Sequence, residues 1–342
     1  MNVKKTLDYF RNKKRIVKPL KLGLIGVGHL GKIHLKCLQL IPERFEIVGF
    51  FDLDQKTSFE VSKLHNIQSY KSVKELISKV DVIDIVTPTL AHYDCAISAL
   101  NAGKHVFIEK PISHTVEEAE ELASLVSSSG LKLQVGHVER FNPAFISASS
   151  YLSNPVFIEA HRLAEFNPRG TDVPVVLDLM IHDLDIILHT VKSEIKEIRA
   201  SGVAVVSDTP DICNARIEFE NGCVANLTAS RISLKSMRKT RFFQKDAYVS
   251  VDFLKKQTEI LKLKDIEGEP DPFSIVMDLG EGKTSKEISF EKPITPKESN
   301  PIRDELFSFS ESILNDTEPI VTINDGLKAL KAASMILDKI SS

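Results

Sequence analysis

From Lys21 onward, short apolar runs alternate with helix-like stretches. LKLGLI, FEIVGFFD, DVIDIVTP (81–88), KHVFIEKP (104–111) and LKLQVGHV (131–138) are rich in Val, Ile and Phe without strict period-two alternation. That is the pattern of strands covered on both faces. Segments near 89–101 and 115–129 have helical spacing, so the repeat of strand and helix predicts an α/β fold with a doubly wound parallel sheet over 21–140. The remainder, 141–342, reads differently. VFIEAHRL, EIKEIRASGV, ICNARIEFENG and VANLTAS are strand-like in close succession, and Asn221-Gly222 marks a hairpin between two of them. Residues 255–300, rich in Lys, Glu and Pro, read as loops and edge strands.

One stretch breaks the apolar pattern. Asp178-Leu-Met-Ile-His182-Asp183-Leu-Asp185, continuing to His189, sets five titratable groups in a helix-like apolar run. At about 100° per residue, positions 178, 182, 185 and 189 fall on one face, which predicts a buried helix with a polar stripe. The plain alternative is the solvated side of an amphipathic helix.

The totals narrow the options. A chain of 342 residues is long for one core and suggests two domains. With 42% hydrophobic and 27% charged residues it has the composition of a folded globular protein, and a net charge of −3 gives no drive toward nucleic acid or an anionic membrane. Four cysteines, at 37, 95, 213 and 223, lack C-x-x-C or zinc-ligand spacing and are read as reduced structural thiols in a cytoplasmic protein. Residues 1–20 form a basic arm with no apolar core of the kind a signal peptide needs, and no run of about 20 apolar residues suggests a membrane span.

The clearest local chemistry is Gly26-x-Gly28-x-x-Gly31, placed after a strand and before a helix, with Asp52 at the end of the next strand. Gly26 permits a tight turn, Gly28 lets a pyrophosphate approach the backbone, and Gly31 lets helix and strand pack closely. The helix N-terminus that follows presents N–H groups and partial positive charge to the phosphates. Asp52 is suited to the adenosine ribose hydroxyls, and Leu53-Asp54 supplies no cation for a 2′-phosphate, so the expected cofactor is NAD rather than NADP. Thr87, Glu109, Lys110 and His137, at the carboxyl ends of successive strands, would line one crevice.

GVGHLGKIH (26–34), TPTLAH (87–92), GKHVFIEKP (103–111), GHVERFNP (136–143) and DLMIHDLD (178–185), in this order and spacing, resemble the glucose–fructose oxidoreductase/inositol dehydrogenase (Gfo/Idh/MocA-like) family. A looser pattern, ELFSFSESI followed by GLKALKAASMIL, extends the resemblance over nearly the whole chain from Lys21. It implies an N-terminal Rossmann domain and a C-terminal α/β domain built on a large, open, mostly antiparallel sheet, whose face often serves oligomerisation, so a homodimer or homotetramer is expected. It also implies cofactor contacts at Gly26, Gly28, His29, Leu30, Gly31, Asp52, Thr87, Pro88, His92, Glu109 and Lys110, and a cis peptide before Pro111.

In the resemblance, Lys110, Asp178 and His182 meet beside the nicotinamide. Oxidising a sugar hydroxyl requires a base near neutral pKa, and imidazole, at about 6.5, qualifies. His182 is therefore the expected base, Asp178 the residue that orients its ring, and Lys110 the cation beside the developing alkoxide. A metal on the 178–189 stripe is not expected, because the stripe spans three helical turns and zinc ligands must converge within about 2.0–2.2 Å of one ion. For substrate, His137, Arg140, Arg162, Arg169 and His182 are the candidates, the arginines because guanidinium suits phosphate. RFNP and PRGTDVPVVLDLMIHDLD most resemble the members that oxidise the 3-hydroxyl of UDP-N-acetylglucosamine. A free sugar or inositol-type dehydrogenase, a non-catalytic NAD-binding regulator and a redox-assisted glycosidase are the alternatives.

Overall fold

The structure is a computed structural model that describes residues 18–167, 173–266, 275–277, 285–296 and 298–341. All but the last three residues of the basic arm lie outside these. Two compact units are present, one of 18–141 with Asn300–Ser334 and one of Asn142–Ser299 with the chain from Met335 onward.

In the first unit, β1 (Leu20–Ile25), β2 (Phe45–Phe51), β3 (Val82–Ile85), β4 (His105–Glu109) and β5 (Leu133–Gly136) form a parallel sheet in the order β2-β1-β3-β4-β5. Every residue of β3 and β5 is buried, which is why the sequence shows no alternation there. The connecting helices are α1 (His29–Gln39), α2 (Gln55–His65), α3 (Val73–Ile77), α4 (His92–Asn101) and α5 (Val116–Ser129). Their ends are set by short-range chemistry. Asp54 accepts the Lys56 N–H at the start of α2, and Thr115 and Glu118 form a reciprocal capping box at the start of α5, each cap worth about 1 kcal/mol. Because β2 lies on one side of β1 and β3 on the other, the strand order reverses at the carboxyl ends of β1 and β3, where such sheets bind ligands.

The second unit carries the expected large sheet. It has nine strands, β6 (Phe157–Leu163), β7 (Ile195–Val203), β8 (Ile212–Phe219), β9 (Val224–Ser230), β10 (Met237–Gln244), β11 (Ala247–Asp252), β12 (Gln257–Asp265), β13 (Ile275–Met277) and β14 (Lys286–Glu291), in the order β13-β14-β12-β11-β10-β6-β9-β8-β7. Among the described residues, only β6 and β9 of this sheet pair in parallel. The region read as loops and edge strands supplies β12 to β14 at one end of the sheet. The hairpin at Asn221-Gly222 closes β8 onto β9 through a turn whose Gly222 N–H reaches the Phe219 carbonyl at 2.9 Å. Gly222 takes φ +85°, the left-handed residue that follows the turn. β10 and β11 fall in a stretch that the hydrophobic pattern leaves unread, because Arg238, Lys239 and Arg241 dilute it. α6 (Pro143–Ala148), started by an Asn142 cap, and α7 (Ile181–Val191) belong to the same unit.

The two units part between Phe141 and Asn142, and the chain returns to the first unit at Asn300. α8 (Pro301–Leu314) and the first part of α9 (Ile323–Ser341) pack in the first unit. Phe309 meets Phe107 of β4 edge-on at 5.9 Å, and Leu306 and Phe309 are fully buried in the same core as Leu24, Leu35 and Phe50. Thr322 pairs with Gln134 beside β5, and the Gln134 amide donates to the Glu305 carbonyl at 2.9 Å. A helical pattern far along the chain states that it buries a face, and not which core receives it.

Candidate active site

Gly26, Gly28 and Gly31 have the separate roles their spacing implies. Gly26 sits at φ +90°, and a Cβ there would come within 2.7 Å of the Val86 carbonyl, so the turn after β1 rests against the chain leaving β3. A Cβ on Gly31 would fall 2.1 Å from the Gly26 carbonyl. At Gly28 the space a Cβ would enter is open to 4 Å. α1 begins at His29 with no acidic residue in its first turn and no side chain capping it, so its N-terminal N–H groups face that open space. His29 is exposed and Leu30 half-buried.

Asp52 is held from both sides. Its Oδ2 accepts the Val27 N–H at 2.7 Å, inside the glycine turn, and its Oδ1 accepts the Asp54 N–H at 2.9 Å. The carboxylate is thereby fixed at the edge of the turn, with exposed Leu53 and Asp54 next to it. This donor and acceptor set fits a dinucleotide: free N–H groups, a cleared backbone and one anchored acceptor.

The other strand ends are connected by His92. Its ring is buried, with Nδ1 2.8 Å from the Pro111 carbonyl and Nε2 2.9 Å from the Thr87 carbonyl. Burial lowers its pKa, outweighing the two carbonyls that raise it. His92 thus ties the loops after β3 and β4 to each other. Thr87 is half-buried and Pro88 exposed at the head of a short 3-10 turn. The Lys110–Pro111 peptide is cis, as the resemblance implies, and Lys110 is half-buried.

Two substrate arginines have other work. Arg162 on β6 is 2% exposed and grips Asp183 with two bonds of 2.9 Å, from Nε and Nη2. A guanidinium so enclosed is a buried structural pair and is not presented to a phosphate. Arg140 is also buried and lies 3.6 Å from Asp325. Both arginines expected to bind substrate are thus enclosed, Arg162 against Asp183 and Arg140 near Asp325. His137 is 1% exposed, after β5. Arg169 lies outside the described residues.

The DLMIHDLD segment departs from the regular helix assumed above. Val176–Met180 is a π-helix, and α7 begins only at Ile181. The wider turn shifts the faces, so the polar stripe is not continuous: Asp178 and His182 are half-buried, Asp185 is 1% exposed, and His189 is exposed beside Phe145. π turns occur disproportionately at functional sites. The start of this segment is held from the residues just before β8 and just after β9: the Val175 N–H reaches the Pro210 carbonyl at 3.2 Å, and Arg231, 3.8 Å from the buried Asp211, donates to the Val173 carbonyl.

Sequence reasoning passed over a buried ionisable group in the first unit. His34 of α1 points Nδ1 at Asp84 of β3 (3.0 Å) and Nε2 at Glu109 of β4 (3.1 Å), while Glu305 of α8 lies beside them, fully buried. One atom each from His34, Glu109 and Glu305 fall within 4.8 Å of one another, a spacing that a metal ion could use. Both imidazole nitrogens already face carboxylates, so proton sharing suits the group better. Its sequence signal was weak, since Asp84 sits singly inside an apolar strand and Glu305 is one of several polar residues along α8.

Residues 20–137 match the oxidoreductase family with an NAD-binding Rossmann fold, and residues 153–245 match the GFO/IDH/MocA C-terminal domain. A UDP-N-acetylglucosamine 3-dehydrogenase from Acidithiobacillus ferrooxidans is 40% identical over 243 residues, 70% of this chain and 76% of that protein. A solved structure of the enzyme of that name from the same organism superposes with a TM-score of 0.84, at 33% identity, over 95% of this chain and 98% of the other. The scyllo-inositol 2-dehydrogenase (NAD(+)) of Bacillus subtilis is 26% identical over 234 residues, 63% of this chain and 68% of its own. The chain belongs to the Gfo/Idh/MocA family of NAD-binding oxidoreductases. Among the described residues no helix is long and apolar enough to cross a membrane.

Proposed function

We propose that this protein is an NAD-dependent dehydrogenase that oxidises the 3-hydroxyl of a UDP-N-acetylhexosamine, UDP-N-acetylglucosamine, to a ketone. The observation that carries the substrate choice is the 40% identity over 243 residues to a UDP-N-acetylglucosamine 3-dehydrogenase, against 26% to an inositol enzyme. NAD, when bound, supplies the acceptor for the hydride.

The chain's own residues do the rest. The free N–H groups at the head of α1 and the open space at Gly28 bind the pyrophosphate, and Asp52 accepts from the adenosine ribose hydroxyls. His182 removes the hydroxyl proton, Asp178 orients its imidazole and stabilises the charged form, and Lys110 lowers the cost of the developing alkoxide. Intact Lys110, Asp178 and His182 favour catalysis over a purely regulatory role, which has no need of a base. His137 and Arg169 remain proposed substrate contacts, and a homodimer or homotetramer built on the nine-stranded sheet is the proposed assembly.

The test is the appearance of NADH absorbance with a panel of UDP-sugars, free sugars and inositols. Turnover confined to UDP-N-acetylhexosamines is expected. Turnover with free polyols alone would move the protein to the inositol class, and NAD binding without turnover on any sugar would make it a regulator.

A further inference from the structure

The four buried groups beneath Lys110 come from four separate elements, and nothing in the catalysis proposed above uses them. His34 lies in α1, Asp84 in β3, Glu109 at the end of β4, and Glu305 in α8. Both ring nitrogens of His34 face carboxylate oxygens, at 3.0 and 3.1 Å. A neutral imidazole has one N–H and would turn a lone pair against one of those oxygens; only the imidazolium donates to both. The Glu109 Oε1 that takes this bond leaves Oε2 to accept the backbone N–H of Lys110 at 3.2 Å. A Cβ on Gly136 would come within 2.7 Å of Oε1, so the neighbouring strand also leaves that carboxylate little room to move. Neither carboxyl oxygen of Glu305 has a hydrogen-bond partner among the described residues, although both are buried. An ionised carboxylate with no donor is the costliest state for such a site, and a neutral carboxyl is the cheaper one.

We propose that His34, Asp84, Glu109 and Glu305 form a proton-holding positioning cluster for Lys110, with His34 as an imidazolium that fixes Glu109, Glu109 fixing the Lys110 backbone, and Glu305 held neutral. The proposal rests on the role given to Lys110 above. Charges balance in that arrangement: Asp84 and Glu109 negative, His34 and Lys110 positive. Titration follows the same assignment. Burial opposes the charge on His34, but Asp84 and Glu109 outweigh it and raise its pKa well above the usual value. Burial likewise opposes ionisation of Glu109, and the bond and charge of His34 together with Lys110 hold it below the usual range. Burial, then Glu109, Asp84 and Asp304, push Glu305 well above the usual range against the pull of His34. His92, Cys37, Arg303 and Asp304 are further titratable groups near the cluster.

The test combines infrared spectroscopy with kinetics on the full chain. At neutral pH the wild-type minus Glu305→Gln difference spectrum is expected to contain a protonated-carboxyl band, with kcat within about 2-fold of wild type because the amide keeps shape and neutrality. His34→Gln is expected to lower kcat per folded molecule about 10-fold or more with NADH affinity nearly constant. In that variant Glu109 loses its cation, so the acid-side loss of kcat should move to higher pH by about one unit. The His34→Gln/Glu109→Gln pair, which removes the Glu109 carboxylate together with its cation, should recover part of that loss. Absence of the band, a His34→Gln variant that loses only thermal stability while kcat and its pH profile hold, or a stoichiometric metal ion in the purified protein would each overturn the proposal. If the wild type turns over no sugar, the dehydrogenase reading fails by itself, and the infrared band still decides the state of the cluster.

Discussion

At the scale of single residues, the assignments separate into groups that act on transient charge and groups that hold the fold. His182→Ala is expected to lower kcat by about 10²-fold to 10⁴-fold, the usual worth of a general base, with the NADH dissociation constant unchanged in a fluorescence titration. Equal loss of cofactor affinity would make His182 structural. Asp52→Ala removes a charged acceptor from the ribose hydroxyls and the repulsion of a 2′-phosphate, so the kcat/KM ratio of NADP over NAD should rise about 10-fold or more. An unchanged ratio would refute the role given to Asp52. Arg162→Ala removes the guanidinium that donates twice to the buried Asp183, and chemical denaturation should record a loss of about 3–5 kcal/mol. A loss confined to substrate affinity would instead return Arg162 to the substrate. These residues also mark what a sequence can disclose. The glycines and Asp52 were legible because their function is local to one turn. The place of Arg162 was not legible, because a guanidinium looks the same in sequence whether it faces a phosphate or a buried carboxylate 21 positions away.

At the scale of elements, the α1 turn and the α8 insertion are the most sensitive to change. Gly31→Ala would place a Cβ 2.1 Å from the Gly26 carbonyl, so α1 must shift away from β1, and NADH binding should fall steeply in the same titration. The Glu305 carboxyl that α8 carries makes stability depend on pH. Glu305 and His34 both have raised pKa values in the fold, so the stability they contribute is present at low pH and is lost as pH rises through the folded values. Glu109, with its lowered pKa, acts in the opposite sense and only at acid pH. The melting temperature should therefore decline from about pH 4.5, where Glu305 ionises in the unfolded chain, with His34 adding to the fall from about pH 6.5, and decline less in Glu305→Gln, the gap between the two proteins widening until the folded Glu305 value is passed. Parallel curves for the two proteins would place the titration elsewhere. The elements themselves were largely foreseen, strands by their Val and Ile runs and helices by capping signals such as Thr115 with Glu118. The π turn at Val176–Met180 was not, because an i+5 turn adds no residue pattern that a 100° wheel can distinguish from an α-helix.

At the scale of the whole molecule, the first unit is completed by residues far along the chain. A chain truncated before Asn300 would lose Leu306 and Phe309 from the core around Phe107, together with the Thr322 pairing beside β5. Removing one such phenylalanine costs about 3–5 kcal/mol, so the truncated NAD-binding unit should lose its cooperative melting transition altogether. Retention of a cooperative transition and of NADH binding would show that 18–141 folds without its C-terminal helices.

The sequence by itself determined the periodicities, and with them the parallel sheet, the antiparallel remainder, the glycine turn with its acid and the family. Each of these is encoded within a few tens of residues, where spacing and side-chain shape decide the outcome. Tertiary structure alone decided that α8 returns to the first core, that Arg162 pairs inward with Asp183, and that His34, Asp84, Glu109 and Glu305 meet. Those outcomes depend on burial and on Coulomb interaction between side chains up to 271 positions apart, and a linear pattern carries the chemistry of each partner without the distance between them.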